Sequence, residues 1–157
     1  MDIIHGFVLA GGRSARMGRT KALLKFPKDE PMVTVVARQL ETVCDRVFTV
    51  VKERPTRGWP SALEFVEEAP DLPMHPLSGV VTALTTLNVN EWALIVPCDV
   101  PFLESAGLRA IVEMGLANGG AVAHDGERLH PLVALLPQKS LDRAMACLRE
   151  ASSMHHF

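Results

Sequence analysis

The chain has 157 residues, of which 48% are apolar and 22% are charged, and its formal net charge is −2 at pH 7. This length suits one domain with a proper core and is too short for two ordinary domains. The slight negative charge argues against a general nucleic-acid binder. The sequence shows neither an apolar run that would span a bilayer nor a signal peptide's charged start, so we expect a cytoplasmic protein without a membrane partner.

In chain order, the first predicted element is a strand from Ile3 to Leu9, because this continuous apolar run is typical of a strand buried on both faces. A helix is predicted from Pro31 through Cys44, where apolar residues recur at helical spacing. The later predictions are strands at 47–51, 63–66, 92–96, 121–124 and 132–136 and helices at 78–87, 105–117 and 141–150, with Ser78 and Ser105 as N-caps.

Strands that alternate with helices in this way predict an α/β protein with three layers and a doubly wound, mostly parallel sheet. The last two strands are predicted to meet at Asp125-Gly126, a strong hairpin signal. Ligands of doubly wound sheets bind outside the carboxyl ends of the strands. Two polar features fall at such ends, a glycine-rich segment after Leu9 and Asp99 after the strand at 92–96.

The glycine-rich segment runs L-A-G-G-R-S-A-R-M-G-R-T-K from Leu9 to Lys21. Gly11 and Gly12 let backbone N–H groups approach an anion closely, and Arg16 and Lys21 add positive charge. The spacing is neither that of a Walker A loop nor G-x-G-x-x-G. The segment therefore predicts a phosphate cradle, with a basic surface turn as the alternative.

Asp99 is the candidate metal ligand. Mg²⁺ commonly takes one or two carboxylates and completes its shell with phosphate oxygens and water, so a single aspartate suffices beside a bound nucleotide. The alternative is a turn or helix cap before Pro101.

Cys98 is adjacent, but no cationic neighbour in the sequence lowers its pKa, and we expect Cys44, Cys98 and Cys147 to be reduced, unreactive thiols.

The pattern L-A-G-G-x-S-x-R-M-G-x-x-K-A-L-L resembles the start of the molybdenum cofactor guanylyltransferases, the MobA family. Pro76 to Gly79, Pro97 to Phe102 and His124 to Pro131 are similar to three further family motifs in the same order. The resemblance implies one Rossmann-like nucleotidyltransferase domain over residues 1–157. The implied reaction is transfer of GMP from GTP to a molybdopterin phosphate, with release of pyrophosphate.

The resemblance also implies roles for single residues. Lys21, Arg16 and Asp99 are expected in catalysis, with Asp99 holding Mg²⁺. The residues expected to bind the nucleotide are Leu9, Ala10, Gly11, Gly12, Lys21, Glu68, Ser78, Gly79 and Asp99. The expected partners are GTP, molybdopterin or the molybdenum cofactor, other cofactor-biosynthesis proteins and the acceptor molybdoenzyme.

The hairpin segment His124 to Pro131 is expected to face the pterin acceptor, with Arg128 or His130 near its phosphate. A metal site of His124, Asp125 and His130 is the alternative, although H-x₅-H with one aspartate matches no common ligand spacing. His155 and His156 are interpreted as part of an ordinary polar tail.

Several positions depart from the family pattern. Glu68 stands where the family usually has an aspartate for guanine, with Asp71 as a substitute, and His75 stands where a glycine is usual. Lys52 and Glu53 replace an asparagine. The family normally continues with a strand, an asparagine-bearing turn and a helix, so a form ending at Phe157 is expected to bind nucleotide weakly and self-associate.

Two other functions stay open. One is a different nucleotidyltransferase, which transfers CMP to the same pterin or a nucleotide to a sugar phosphate or cobinamide phosphate. The L-A-G-G form favours the guanylyl branch. The other is a non-catalytic nucleotide-binding module.

Overall fold

The structure is a computed structural model that describes residues 1–11, 20–55 and 57–150. Within this part of the chain, the strands are β1 (Ile4–Leu9), β2 (Arg46–Val51), β3 (Glu64–Glu67), β4 (Trp92–Pro97), β5 (Ala121–His124) and β6 (Leu129–Pro137). The helices are α1 (Met32–Glu41), α2 (Pro76–Thr86), α3 (Ser105–Asn118) and α4 (Leu141–Arg149), with short 3-10 helices at Lys21–Leu23 and Gln138–Ser140.

The strands form one mixed sheet in the order β3-β2-β1-β4-β6-β5. β1 pairs in parallel with both β2 and β4, and β2 pairs in parallel with β3. β6 runs antiparallel to β4 and to β5. The predicted α/β class with a mostly parallel sheet is confirmed. The strand order reverses direction at β1, so the crevice between the ends of β1 and β4 is the place where such folds bind ligands.

Two apolar layers pack on opposite faces of the sheet because neighbouring residues of a strand point to opposite sides. On one face, α1 and α3 cover Val8 and Leu94 with side chains that include Leu40 and Leu108. On the other face, α2 and α4 cover Phe7 and Ile95 with residues that include Leu77, Leu84 and Ala144. The predicted three layers are therefore present.

The start of α2 differs from the sequence prediction. The helix begins at Pro76, and its N-cap is His75, whose Nδ1 accepts a hydrogen bond from the backbone N–H of Leu77 at 3.1 Å. Proline suits the first helical position because its missing N–H would have no partner there. Ser78 therefore lies inside the helix, and the prediction that it caps α2 was wrong.

Ser105 is likewise not the cap of α3. The N-cap position belongs to Glu104, and the Ser105 hydroxyl instead donates to Oε1 of Gln39 at 3.2 Å and accepts from the hydroxyl of Thr42 at 3.1 Å. These bonds tie α3 to the end of α1. The predicted end of α3 is confirmed, since Gly119 adopts the left-handed conformation at φ 80°.

The predicted hairpin between β5 and β6 is confirmed, and Gly126 has the positive φ, 98°, that such a turn requires. β6 begins three residues earlier than predicted, because Leu129 and His130 pair with β5 although their side chains are exposed. In the described residues, no helix is both long and apolar enough to cross a membrane.

Candidate functional site

A cleft of about 240 Å³ opens at the carboxyl ends of β1 and β4. Its walls come from the segment after β1, the first 3-10 helix, the ends of β2 and β3, the start of α2 and the end of β4. Ladder hydrogen bonds continue past the strands, from Ala10 N to Val50 O at 2.9 Å and from Cys98 N to Leu9 O at 3.1 Å. Ala10 and Cys98, which line the cleft, are therefore fixed to the sheet.

Among the predicted site residues, the cleft is lined by Leu9, Ala10, Gly11, Lys21, Glu68, Gly79 and Asp99. The sequence thus indicated seven residues that the fold brings together from distant positions. Gly12 and Arg16 lie outside the described residues.

Two glycines bring the backbone close to Glu68 at one end of the cleft. A Cβ atom at Gly11 would lie 2.8 Å from Oε1 of Glu68, and one at Gly79 would lie 3.0 Å from Cδ2 of Leu9. The first distance is too short for any real contact. An alanine at position 11 would therefore force the Glu68 carboxylate to shift.

Glu68 is a buried carboxylate, 6% exposed, that directly follows β3. Its carboxylate forms an ion pair with Lys52, whose ammonium also donates to the carbonyl of Pro73 at 3.1 Å. The Lys52 ammonium lies on Oε2 of Glu68, and a carboxylate has more acceptor sites than one ammonium fills. A buried acceptor with unused capacity at a cleft is suited to bind N–H groups of a ligand.

Lys52 also lines the cleft, although the sequence analysis treats it only as a departure from the family pattern. It follows Val51, the last residue of β2, as Glu68 follows Glu67, the last residue of β3, and these two last residues are paired in the sheet. Neighbouring parallel strands that end together place the next residues side by side. That register is the signal that would have predicted the pair.

The other acidic candidate and the predicted serine are placed differently. Asp71 is exposed and is not among the residues that line the cleft. Ser78 is fully buried, and its hydroxyl donates to the carbonyl of Pro73 at 2.6 Å. Ser78 therefore supports the turn that also holds Lys52, and its predicted contact with a nucleotide stays a prediction.

Lys21 opens the 3-10 helix Lys21–Leu23 and lines the cleft near Cys98. The turn is closed by hydrogen bonds from Leu23 N to Thr20 O and from Leu24 N to Lys21 O, both 3.0 Å. Ala22, which follows Lys21, is buried. The backbone of Lys21 is thus held at the cleft by a short, anchored helix.

Asp99 is an exposed residue two positions after the end of β4, and it lines the same cleft as Lys21. The α3 cap is Glu104, which rules out Asp99 as the cap of that helix. The described residues contain no cluster of three or more metal-ligating side chains. A single exposed carboxylate beside a cation-lined cleft fits Mg²⁺ whose other ligands are phosphate oxygens and water.

The thiol of Cys98 is unsuited to nucleophilic chemistry. Burial and, to a smaller extent, the Asp99 carboxylate raise its pKa to about 11, against weaker opposing effects of a backbone hydrogen bond and the Lys21 ammonium. The thiol is therefore protonated at neutral pH. This agrees with the sequence-based interpretation.

The hairpin carries a hydrogen-bonded pair at its tip. Oδ1 of Asp125 accepts from the backbone N–H groups of Arg128 and Glu127 at 2.8 and 2.9 Å, and Oδ2 lies 2.8 Å from Nε2 of His130. These contacts, chiefly the Arg128 and Glu127 N–H groups, hold the pKa of Asp125 well below its usual range. The carboxylate thus fixes the turn. That the hairpin faces an acceptor stays a prediction.

A mostly parallel α/β sheet with a cation, a carboxylate and a buried acceptor at its switch point defines the class of Rossmann-like nucleotidyltransferases. Molybdopterin-guanine dinucleotide biosynthesis protein A from Archaeoglobus fulgidus has the same fold, with a TM-score of 0.72 at 17% identity over 94% of this chain and 74% of that one. Rv0371c from Mycobacterium tuberculosis, solved in complex with manganese, aligns with a TM-score of 0.66 at 18% identity over 90% and 74%.

The chain belongs to the family of the MobA-like NTP transferase domain, whose family model matches residues 6–157. The molybdenum cofactor guanylyltransferase of Serratia proteamaculans is 33% identical over 135 residues, which are 85% of this chain and 67% of that protein. The family resemblance of the sequence motifs is confirmed.

Proposed function

We propose that this protein transfers GMP from GTP to a phosphate of molybdopterin or the molybdenum cofactor and releases pyrophosphate. The observation that carries the proposal is the convergence of Lys21, Asp99 and Glu68 on one cleft. The triphosphate of GTP matches the Lys21 ammonium, and a metal ion bound to the phosphate oxygens matches the Asp99 carboxylate. The base edge matches the Glu68 carboxylate. The 33% identical relative named above supports the same reaction.

Transfer requires an acceptor phosphate oxygen to bond to the α-phosphorus of GTP while the bond to the β-phosphate oxygen breaks. Lys21 would neutralise negative charge on the departing pyrophosphate, and Asp99 would hold Mg²⁺. When bound, Mg²⁺ supplies charge neutralisation across the phosphates. Such reactions depend on positioning and electrostatics, so no enzyme nucleophile is needed.

The base would be selected by the Lys52–Glu68 pair. Guanine presents two adjacent donors, the N1–H and the exocyclic amine, and the Glu68 carboxylate accepts from both. Cytosine presents one amine beside an acceptor nitrogen, which a carboxylate repels. The Lys52 ammonium lies beside this carboxylate and keeps it in place.

We also propose that the chain forms one nucleotidyltransferase domain that works in the cytoplasm. Its partners would be other cofactor-biosynthesis proteins and the acceptor molybdoenzyme. The continuous sheet and its two helical layers support the single domain.

Calorimetric titration with GTP, CTP and ATP in the presence of Mg²⁺ tests nucleotide choice. We expect tight binding of GTP only, and loss of that preference in Glu68→Gln, which keeps the shape of the side chain. Equal affinity for CTP in the wild type would contradict the proposed base selection. Asp71→Asn is the matched control, because Asp71 is acidic and near in sequence but does not line the cleft.

A further inference from the structure

A second cavity, of about 430 Å³, lies against Asp99. Its lining is apolar apart from that aspartate and includes Phe26, Met32, Pro101, Phe102 and Leu103. Asp99 lines both this cavity and the nucleotide cleft. The two concave regions therefore adjoin at the carboxylate proposed to hold the metal.

Two phenylalanine rings are exposed at this cavity. Phe26 is 48% exposed and Phe102 is 68% exposed, and the rings meet edge to face with 5.4 Å between centroids and 87° between planes. By contrast, Phe7 and Phe48 stack inside the core, where burial of apolar surface explains them. The exposed pair is not explained by the core.

Short hydrogen-bonded segments hold both rings. Phe26 N donates to Glu30 O at 3.1 Å, and Lys25 and Asp29 form an ion pair of 2.7 Å across the same loop. Phe102 lies in the turn that follows β4, which Leu103 N closes onto the carbonyl of Val100 at 3.3 Å. The rings come from distant parts of the sequence, yet each has a defined position beside Asp99.

The proposed reaction limits where its second substrate can lie. The acceptor phosphate must reach the α-phosphorus of a nucleotide bound in the cleft that Asp99 lines, so the rest of the acceptor must extend from the neighbourhood of Asp99. An exposed aromatic surface binds flat heterocycles by stacking, and clefts of this size accommodate small molecules.

We propose that Phe26 and Phe102 form the subsite for the flat heterocyclic ring of the phosphorylated acceptor. This inference rests on the proposed function and adds the location of the second substrate. One ring face stacks on the heterocycle while the acceptor phosphate points past Asp99 into the nucleotide cleft. The aromatic pair then affects acceptor binding and leaves GTP binding unchanged.

The test compares Phe102→Leu, which keeps apolar bulk but removes the ring, with Phe102→Trp, which keeps an aromatic face. Loss of one stacking ring should raise KM for molybdopterin about tenfold, with KM for GTP unchanged. Phe102→Trp should stay within about twofold of the wild type. The control is Met114→Ala, because Met114 is 63% exposed on α3 and does not line either cavity.

A second measurement does not depend on catalysis. Fluorescence anisotropy of pterin, the bare bicyclic heterocycle, is followed as protein is added, and Phe102→Leu and Phe26→Leu should weaken binding while Phe102→Trp retains it. If the wild type transfers nothing from GTP to molybdopterin, the proposed function fails, but this titration still decides the subsite. If Phe102→Leu does not fold, Phe26→Leu and Phe102→Trp provide the comparison.

Unchanged molybdopterin KM and unchanged pterin binding in both leucine variants would overturn the inference. Sedimentation velocity on the same variants measures their association state and so tests whether the two rings form a contact between proteins instead. A shift in association state without any change in KM would assign the rings to contacts between proteins, and would also overturn the subsite.

Discussion

Gly11→Ala places a methyl group where the structure has no space for one. The new Cβ would lie 2.8 Å from Oε1 of Glu68, and Glu68 has little freedom to move because it is buried and ion-paired with Lys52. Forced overpacking of this kind costs about 1 to 3 kcal/mol. Displacement of the carboxylate that reads the base would remove part of the binding energy of guanine.

We therefore expect Gly11→Ala to weaken GTP binding by about five- to thirtyfold, which corresponds to a loss of about 1 to 2 kcal/mol. Isothermal calorimetry with Mg²⁺ and GTP measures this loss, and thermal unfolding measures the accompanying fall in stability. The control is Gly107→Ala, since in the described part of the chain a Cβ at Gly107 meets no heavy atom within 4 Å beyond its own helix and chain neighbours.

Gly107 lies in α3, so its replacement by alanine should stabilise the protein by about 0.5 to 1 kcal/mol and leave GTP affinity unchanged. Wild-type GTP affinity in a folded Gly11→Ala protein would refute the assignment of the Gly11–Glu68 wall to the nucleotide site.

Three further outcomes are expected. Lys21→Ala should weaken triphosphate binding by about 1.5 to 3 kcal/mol in calorimetry, the value of a charge-assisted contact, and unchanged affinity would contradict its role. Cys98→Ala should retain transfer, and Cys98 should react slowly with iodoacetamide at pH 8 because its pKa is raised to about 11; rapid alkylation would contradict the burial argument. Because the pKa of Asp125 is lowered on folding, its stabilising contribution should be fully present above the unfolded value, near pH 4, and decline as the pH falls through the lower folded pKa. Urea unfolding of the wild type and Asp125→Asn across pH 2 to 7 measures the difference in their free energies of unfolding. A difference that grows as the pH falls would contradict this prediction.

The central strands were predictable because buried parallel strands need apolar side chains on both faces. β1 and β4 meet this requirement over most of their length, and the polar segments that follow them had to emerge at the same edge of the sheet. The sequence therefore predicts Lys21 and Asp99 at one cleft, where the structure has them.

The features that escaped prediction depend on register or on distant contacts. His75 caps α2 through a side-chain acceptor that composition does not reveal, and the Lys52–Glu68 pair depends on how β2 and β3 are aligned. The Phe26–Phe102 contact joins two segments that are separated in the sequence by β2, β3 and β4. The exposed start of β6, Leu129 and His130, pairs with β5 and not with β4, and it lacks the apolar pattern that signals a strand.

The most direct test follows the labelled α-phosphate. Purified protein is incubated with Mg²⁺, molybdopterin and GTP labelled at the α-phosphorus, and the products are separated chromatographically. The account predicts label in a molybdopterin guanine dinucleotide with one pyrophosphate released per transfer, and loss of both products in Asp99→Asn. Labelled product from CTP but not from GTP, or wild-type turnover in Asp99→Asn, would contradict it.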